Sequence, residues 1–268
     1  MKLVAIVKPP QRIEEAVAAF AAATGLTLAE GRMRLAAEPP ALLARLEADL
    51  ADGLVAALRK AGLAALAIDA NVPTDADRIL VHRFGLEPDQ VLLAPRSGDA
   101  LPVAWADVLA VLRGSREQRV DAARTEKSKT FSLGMAAATG GLVMRRQTTK
   151  TVHSSETSSQ QVLLLYARDG RVAALVEGQV DFSCLGAELQ PSSAANMSTL
   201  WLRLRARSPG AFHDDRLLRL GRRPLPFVAE RETRSATSTM AVTRRDTAAS
   251  LDVLAEVLRQ ALAAGLLP

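Results

Sequence analysis

The spacing of apolar residues over positions 1–74 alternates between extended and helical periods. Lys2–Lys8 is a short apolar run and predicts a strand. Apolar residues then recur every three or four positions from Arg12 to Gly25, and Thr27 with Glu30 gives the capping-box pattern that begins a second helix. The remaining predicted elements are a linking segment after Pro39-Pro40, a helix over Asp49–Ala61 and an extended run over Leu63–Ala70. This order predicts a small α+β sandwich.

Three stretches of this region carry a family resemblance. They are Ala23-Thr24-Gly25-Leu26-x-Leu28-x-Glu30, then Pro39 or Pro40, then Leu58-Arg59-Lys60-Ala61-Gly62. Together they resemble the C-terminal domain of the large-subunit ribosomal stalk protein, over about 60 residues. In that family, basic residues on the first two helices help to recruit translational GTPases. The matching positions here are Ala18, Ala21, Ala29 and Arg32. Because three of the four carry no charge, the resemblance implies the fold rather than the GTPase-recruiting role.

Residues 75–228 change to short extended runs followed by one helix. A polar linker at 72–77 precedes them, and the predicted strands are Ile79–Phe84, Gln90–Ala94, Leu101–Leu112, Gln161–Ala167 and Val172–Val176. Asp169-Gly170 predicts a hairpin turn, and 191–207 has a helical period with Ser192 or Ser193 as its cap. Several strands closed by a helix, with Trp105-Ala106-Asp107 in the third, resemble bacterial pleckstrin-homology-like domains. The alternative is another small β-barrel or meander with a packing helix. Members of the resembled family bind lipid headgroups, peptides or proteins.

The segment 113–160 is too long for a loop in a compact barrel, and we treat it as an insertion. Its run Phe131–Met144 has no charge and is flanked on both sides by Lys and Arg. Three interpretations remain open: an element that enters an anionic membrane interface, a buried strand pair or short helix over the barrel, or a contact between copies of the chain. The candidate partner or membrane contacts are Lys127, Lys129, Phe131, Leu133, Met135, Leu142, Met144, Arg145, Arg146 and Lys150.

The C-terminal forty residues divide into a polar stretch and a helix. The polar stretch, 229–246, has little periodicity and predicts a disordered linker. The helix, 247–265, carries an apolar stripe, so it needs a surface on which to dock. That surface could belong to its own chain, to a second copy or to the groove of a partner.

Composition narrows the class of protein. The chain has 268 residues, of which 49% are apolar and 24% charged, and these values are typical of a globular protein. It contains no uncharged run of the length that spans a bilayer, and its first apolar run is short, so we expect no secretory leader. A single Cys184 excludes an internal disulfide, and we expect it to be a small buried side chain. The expected location is the cytoplasm, with peripheral attachment at the inner membrane face as an option.

The charge of the chain is compatible with an acidic partner such as a membrane or nucleic acid, and arginine-rich chains also arise from nucleotide composition alone. The net charge is +5, and residues 75–228 hold 21 basic and 16 acidic side chains, so the whole excess lies there. With nine aromatic residues in the chain, a platform for base stacking is poorly supplied, and nucleic acid is disfavoured as a partner.

The sequence contains no catalytic motif that we can identify. His213-Asp214-Asp215 is the one tight group of metal-capable residues, and it is better explained as acidic residues at the start of a helix over 216–223. We therefore expect no catalytic residue, no cofactor and no metal. The expected function is non-catalytic binding or scaffolding, with an unknown protein or an anionic lipid surface as partner and homo-oligomer contacts through 131–144 or the C-terminal helix as an option. The alternatives are an enzyme with a dispersed active site and, less favoured, a nucleic-acid or ribosome-associated binder.

Overall fold

The computed structural model of the protein describes residues 1–131, 145–237 and 240–268, apart from the side chains of 126–131 and 145–149. Contacts divide the chain into two compact units. Unit 1 comprises 1–116, 159–230 and 247–268, and unit 2 comprises 117–158 and 231–246. The fold is α+β, as the sequence predicts.

The first 70 residues of unit 1 form a three-stranded antiparallel sheet covered by three helices. The elements are β1 (Lys2–Ile6), α1 (Ile13–Thr24), α2 (Leu28–Leu35), β2 (Ala41–Leu46), α3 (Ala48–Lys60) and β3 (Ala65–Asp69), and the strand order is β2-β1-β3. The predicted capping box is present, because Thr27 and Glu30 bond each other's backbone N–H groups at 2.9 and 3.3 Å. The prediction of a linking segment after Pro39-Pro40 was wrong, because this stretch contains β2. Its sequence, Ala-Leu-Leu-Ala-Arg-Leu, has no β-branched residue, so pairing with β1 rather than local preference makes it a strand.

The rest of unit 1 contains a second sheet and its packing helix. Its strands are β4 (Ile79–Leu86), β5 (Gln90–Pro95), β6 (Leu101–Ala104), the first part of β7 (Val108–Phe131), the last part of β8 (Arg145–Ala167), β9 (Val172–Val176) and β10 (Phe212–Asp214). The order is β7-β8-β9-β4-β5-β6, and the pairings β4–β9 and β10–β7 are parallel. Helix α4 (Ser193–Arg207), capped by Ser192, packs on this sheet through Met197, Leu200, Trp201 and Leu204. The hairpin turn at Asp169-Gly170 is confirmed, with Gly170 at φ +91°.

The C-terminal helix α6 (Ala248–Ala263) lies between the two sheets of unit 1. Eleven of its sixteen residues are buried, including Ser250, Asp252 and Glu256 on its polar positions. One core joins this helix to Leu3 of β1, Ile68 of β3 and Leu164 of β8. A helix that is buried all round is the centre of a core and not a surface element. The helix therefore docks on its own chain, and its apolar stripe is not exposed for a second copy.

A buried ion pair fixes the polar side of α6. The Arg78 guanidinium donates to Asp252 Oδ1 at 2.5 Å, to Asp75 Oδ1 at 3.2 Å and to the Pro73 carbonyl at 2.9 Å. Arg78 and Asp252 side chains are 3% and 6% exposed. Burial raises the pKa of Asp252 and the charge of Arg78 lowers it, so the loss of either partner would leave an uncompensated charge in the core. The segment 72–77 is thus tied to α6, and it does not separate domains.

Several boundaries drawn from the sequence need correction. Residues 1–74 and 75–228 share the core of unit 1, and 229–246 is not a disordered linker. It contains the strands β11 (Arg231–Ala236) and β12 (Met240–Asp246), which pair with each other and with β7. Its polar residues have no apolar period because neither face of these strands is buried. Of the insertion 113–160, residues 113–131 and 145–160 belong to β7 and β8, which have 24 and 23 residues, and 132–144 lie outside the described residues.

Two smaller expectations also change. Cys184 is exposed in a 3-10 turn at Ser183–Glu188, where its neighbours Phe182 and Leu185 take the buried positions. The helix expected over 216–223 is reduced to one turn, α5 (Leu217–Leu220). Asp214 precedes it and accepts a bond from the Arg216 N–H at 2.9 Å, so its side chain closes the turn as a cap would.

Gly221 gives the first prediction, because it packs closely against both the Ser115 backbone and α6. A Cβ there would be 2.5 Å from the Ser115 carbonyl oxygen and 3.0 Å from Leu251 of α6. We expect Gly221→Ala to lower the free energy of unfolding by about 1–3 kcal/mol, since the backbone must move. Gly53→Ala is the control, because this exposed site in α3 has no atom within 4 Å and alanine favours helix. Urea unfolding followed by circular dichroism measures both, and equal effects would contradict the close packing.

Candidate interaction surface

The described part of unit 2 is a four-stranded sheet in which no side chain is buried. The strand order is β11-β12-β7-β8, with β12 paired to β7 from Met240↔Arg124 to Asp246↔Gln118. Among the side chains of unit 2 that the structure describes, none is buried, and 150–158 of β8 is exposed at every position. A sheet normally needs one covered apolar face to be stable alone. Both faces of this sheet are accessible to another molecule.

The entire excess positive charge of the protein belongs to unit 2. Its two segments, 117–158 and 231–246, contain 11 Lys and Arg and 6 Asp and Glu, which gives +5. The remaining chain, unit 1, has 23 of each and is formally neutral. The sequence alone locates the excess charge to 75–228 but does not show that it belongs to one sheet, because 72 residues of unit 1 separate the two segments of unit 2. A neutral body and a basic sheet favour contact with an anionic surface through the sheet.

One face of the sheet, the apolar face, combines uncovered apolar side chains with cations. Side chains alternate along a strand and opposite residues share a face. The pairing of β12 with β7, and the bond of Ser155 in β8 to Asp121 on the other face, therefore place five apolar residues together. They are Val120 and Ala122 of β7, Val152 of β8, and Met240 and Val242 of β12. Val152 and Met240 are 40% and 44% exposed. Lys150 and Arg244 share this face, and neither makes an ion pair with a described residue.

The opposite face, the ion-paired face, satisfies most of its own charges. Arg119 Nε lies 3.1 Å from Asp121 Oδ1, and Glu232 accepts bonds from Arg234 and from Arg245 Nε, the latter at 3.2 Å. The Ser155 hydroxyl, assisted by Arg119, holds the pKa of Asp121 below its ordinary value. Bonds from Arg234 and Arg245 lower the pKa of Glu232. These carboxylates stay ionised, so this face is less available to an anion than the apolar face.

The sequence-predicted contacts belong to unit 2, and the structure describes them to different extents. Lys150 is exposed on the apolar face of β8. The backbone of Lys127, Lys129 and Phe131 lies in β7 and that of Arg145 and Arg146 in β8, while their side chains lie outside the described part. Leu133, Met135, Leu142 and Met144 lie outside the described residues altogether.

Sequence reasoning missed the contribution of β12. Met240, Val242 and Arg244 reach the apolar face, although the stretch was expected to be disordered. The signal was the alternation Met-Ala-Val-Thr-Arg-Arg, in which every second residue points the same way, and it is too short to stand out among polar neighbours.

The structure places His213 in a packed position next to an aromatic ring. It lies in β10, where its ring packs edge-on against Trp201 with centroids 5.8 Å apart and its Nε2 lies 3.2 Å from Ser208 Oγ. Over the described ranges, no three His, Cys, Asp or Glu side chains come close enough to hold a metal ion. Nor is any helix in those ranges long and apolar enough to cross a membrane. Comparisons with protein-family models, with curated proteins and with solved structures found no match.

The bond from Ser155 gives a prediction for the ion-paired face. In Ser155→Ala we expect the pKa of Asp121 to rise toward its ordinary value, because the hydroxyl is the largest cause of its depression. A carboxyl whose folded pKa is lowered stabilises the fold above its unfolded pKa, and that contribution is lost as pH falls through the folded value. Ser154→Ala on the apolar face is the control. Carboxyl-carbon NMR titration measures both variants, and an unchanged Asp121 in Ser155→Ala would contradict the assigned face.

Proposed function

We propose that the protein is a non-catalytic binding protein whose unit 2 engages an anionic membrane surface. The observation that carries the proposal is the segregation of charge, with +5 on a sheet that has no buried side chain among those described and none on the rest of the chain. A basic surface attracts anionic lipid at about 1 kcal/mol for each Lys or Arg close to it. Attachment would be peripheral, at the inner face of the membrane.

The apolar face favours lipid over an acidic protein as the partner. Val152 and Met240 are exposed and lie beside Lys150 and Arg244, so apolar and basic groups meet the same plane. An interfacial surface needs this combination, with apolar side chains entering the headgroup boundary and cations meeting the phosphates. An acidic protein partner would pair with the cations but would gain less binding free energy from the apolar side chains of this face.

The proposal also includes the two family resemblances seen in the sequence, one for each part of unit 1. The element order β-α-α-β-α-β of residues 2–69 supports a stalk-protein-like fold for the first part of unit 1. Strands β4 to β9 followed by α4 support a pleckstrin-homology-like ancestry for the second part, although two of its strand pairings are parallel. In this proposal, unit 1 is the rigid body that carries the basic sheet, and binding of a lipid or protein surface is the activity of the whole.

Co-sedimentation with vesicles tests the proposal. The full chain is mixed with vesicles of phosphatidylcholine alone and of phosphatidylcholine with phosphatidylglycerol in equal parts. We expect sedimentation with the anionic vesicles only, weakened by salt because the cations are exposed. Lys150→Glu/Arg244→Glu should weaken binding by about thirtyfold or more, as two favourable contacts of about 1 kcal/mol each are removed.

The matched control is Arg119→Glu/Arg234→Glu, which makes the same change in net charge on the ion-paired face. It should bind more tightly than the apolar-face variant, with circular dichroism confirming that both are folded. A third variant, Arg145→Glu/Arg146→Glu, tests whether the two arginines that follow the uncharged run Phe131–Met144 contribute to vesicle binding. Native protein that stays in the supernatant with both vesicles would overturn the membrane proposal and leave a protein partner. Equal losses in the two matched variants would mean that net charge alone, and not the apolar face, determines binding.

A further inference from the structure

Unit 1 contains a cleft that is separate from the proposed membrane surface. Its volume is about 770 Å³, and its lining includes three half-buried apolar side chains and three nitrogen-bearing ones. The apolar group is Leu109, Phe212 and Leu262, and the polar group is Arg168, Arg205 and His213. No Asp or Glu side chain of the described residues lines the cleft. A smaller cavity of about 380 Å³ shares Leu109 and Arg168 with it.

The two cleft arginines differ from their neighbours in having no carboxylate partner. Arg171 pairs with Asp169 at 2.6 Å, Arg203 pairs with Glu188, and Arg216 pairs with Asp214. Neither Arg168 nor Arg205 lies within 4 Å of a carboxylate oxygen in the part of the chain described. Arg168 is held in place by its Nε bond to the Ala106 carbonyl at 3.2 Å. Two such guanidinium groups facing one cleft supply unused donors for an anion.

His213 is the third polar residue of the cleft. Burial lowers the pKa of His213, the bond with the Ala211 backbone raises it, and the positive charge of Arg205 lowers it. The ring is therefore neutral at physiological pH and is fixed in place by Trp201 and Ser208. A neutral imidazole beside two cations can donate or accept one bond without adding charge.

We propose that this cleft binds a small organic anion, with its carboxylate or phosphate between Arg168 and Arg205 and its apolar body against Leu109, Phe212 and Leu262. The position of the charges selects an anion over a neutral ligand, and the apolar wall selects an organic anion over an inorganic ion. The site is independent of unit 2, so its test and the vesicle test succeed or fail separately.

NMR of the histidine ring nitrogens tests the proposal on the full chain. Phenyl phosphate and benzoate are the anionic probes, and benzyl alcohol is the neutral control of similar shape. We expect a saturable shift of the His213 signals with at least one anion, no comparable shift with benzyl alcohol, and unchanged signals for His82 and His153. The anion that binds identifies whether phosphate or carboxylate is the preferred headgroup.

Two pairs of variants locate the anion. Arg205→Gln and Arg168→Gln should each weaken binding by about tenfold or more, the value of a charge-assisted hydrogen bond. Arg203→Gln and Arg171→Gln are the matched controls, because they remove an arginine from the same helix and the same turn but do not line the cleft. The controls should bind as the native protein does. The absence of a saturable shift at His213, an equal response to benzyl alcohol, or equal weakening in the controls would overturn the proposal.

Discussion

The burial of helix α6 between two sheets is the constraint on which unit 1 depends. The helix is the last element of the chain, yet its residues Leu254, Val257 and Leu258 are fully buried and belong to one core with β1 and β8. Apolar residues of both sheets belong to this core, together with Leu217 and Leu220, so the core is incomplete until the helix is in place. The Arg78–Asp252 pair and the close approach of Gly114 and Gly221 fix its position. This explains why the N-terminal module cannot be treated as an independent domain.

Unit 2, by contrast, has no buried side chain among those that the structure describes. Its strands are held together by backbone pairing, of β11 with β12 and of β12 with β7. No apolar layer covers either face of the described sheet. It carries all the excess charge, and its exposed Val152 and Met240 share a face with Lys150 and Arg244. The chain thus separates a neutral, fully packed body from a basic, uncovered sheet. A division of this kind is expected where one part provides stability and the other provides contact.

The sequence predicted local structure well and long-range structure poorly. The capping box of Thr27 and Glu30, the end of α1 at Gly25 and the turn at Gly170 depend on neighbours in the chain, and all are present. Strand β2 forms by pairing with β1, and α6 docks on residues of β1, β3 and β8. These partners are far away in sequence, and the spacing of apolar residues within one segment does not reveal them. For the site, Lys150 was predicted and Val242 was not, because β12 is a strand only through its pairing with β7.

Hydrogen exchange with and without anionic vesicles tests most directly whether unit 1 is the closed body and unit 2 the contact surface. Without vesicles, the account predicts that amides of α6 exchange slowest and that those of 117–125, 150–158 and 231–237 exchange much faster, since these strands have no covering core. With phosphatidylglycerol vesicles, protection should rise in these strands and stay unchanged in α6. Protection that rises only in unit 1, or that is as high in unit 2 as in α6 before any vesicle is added, would contradict the account.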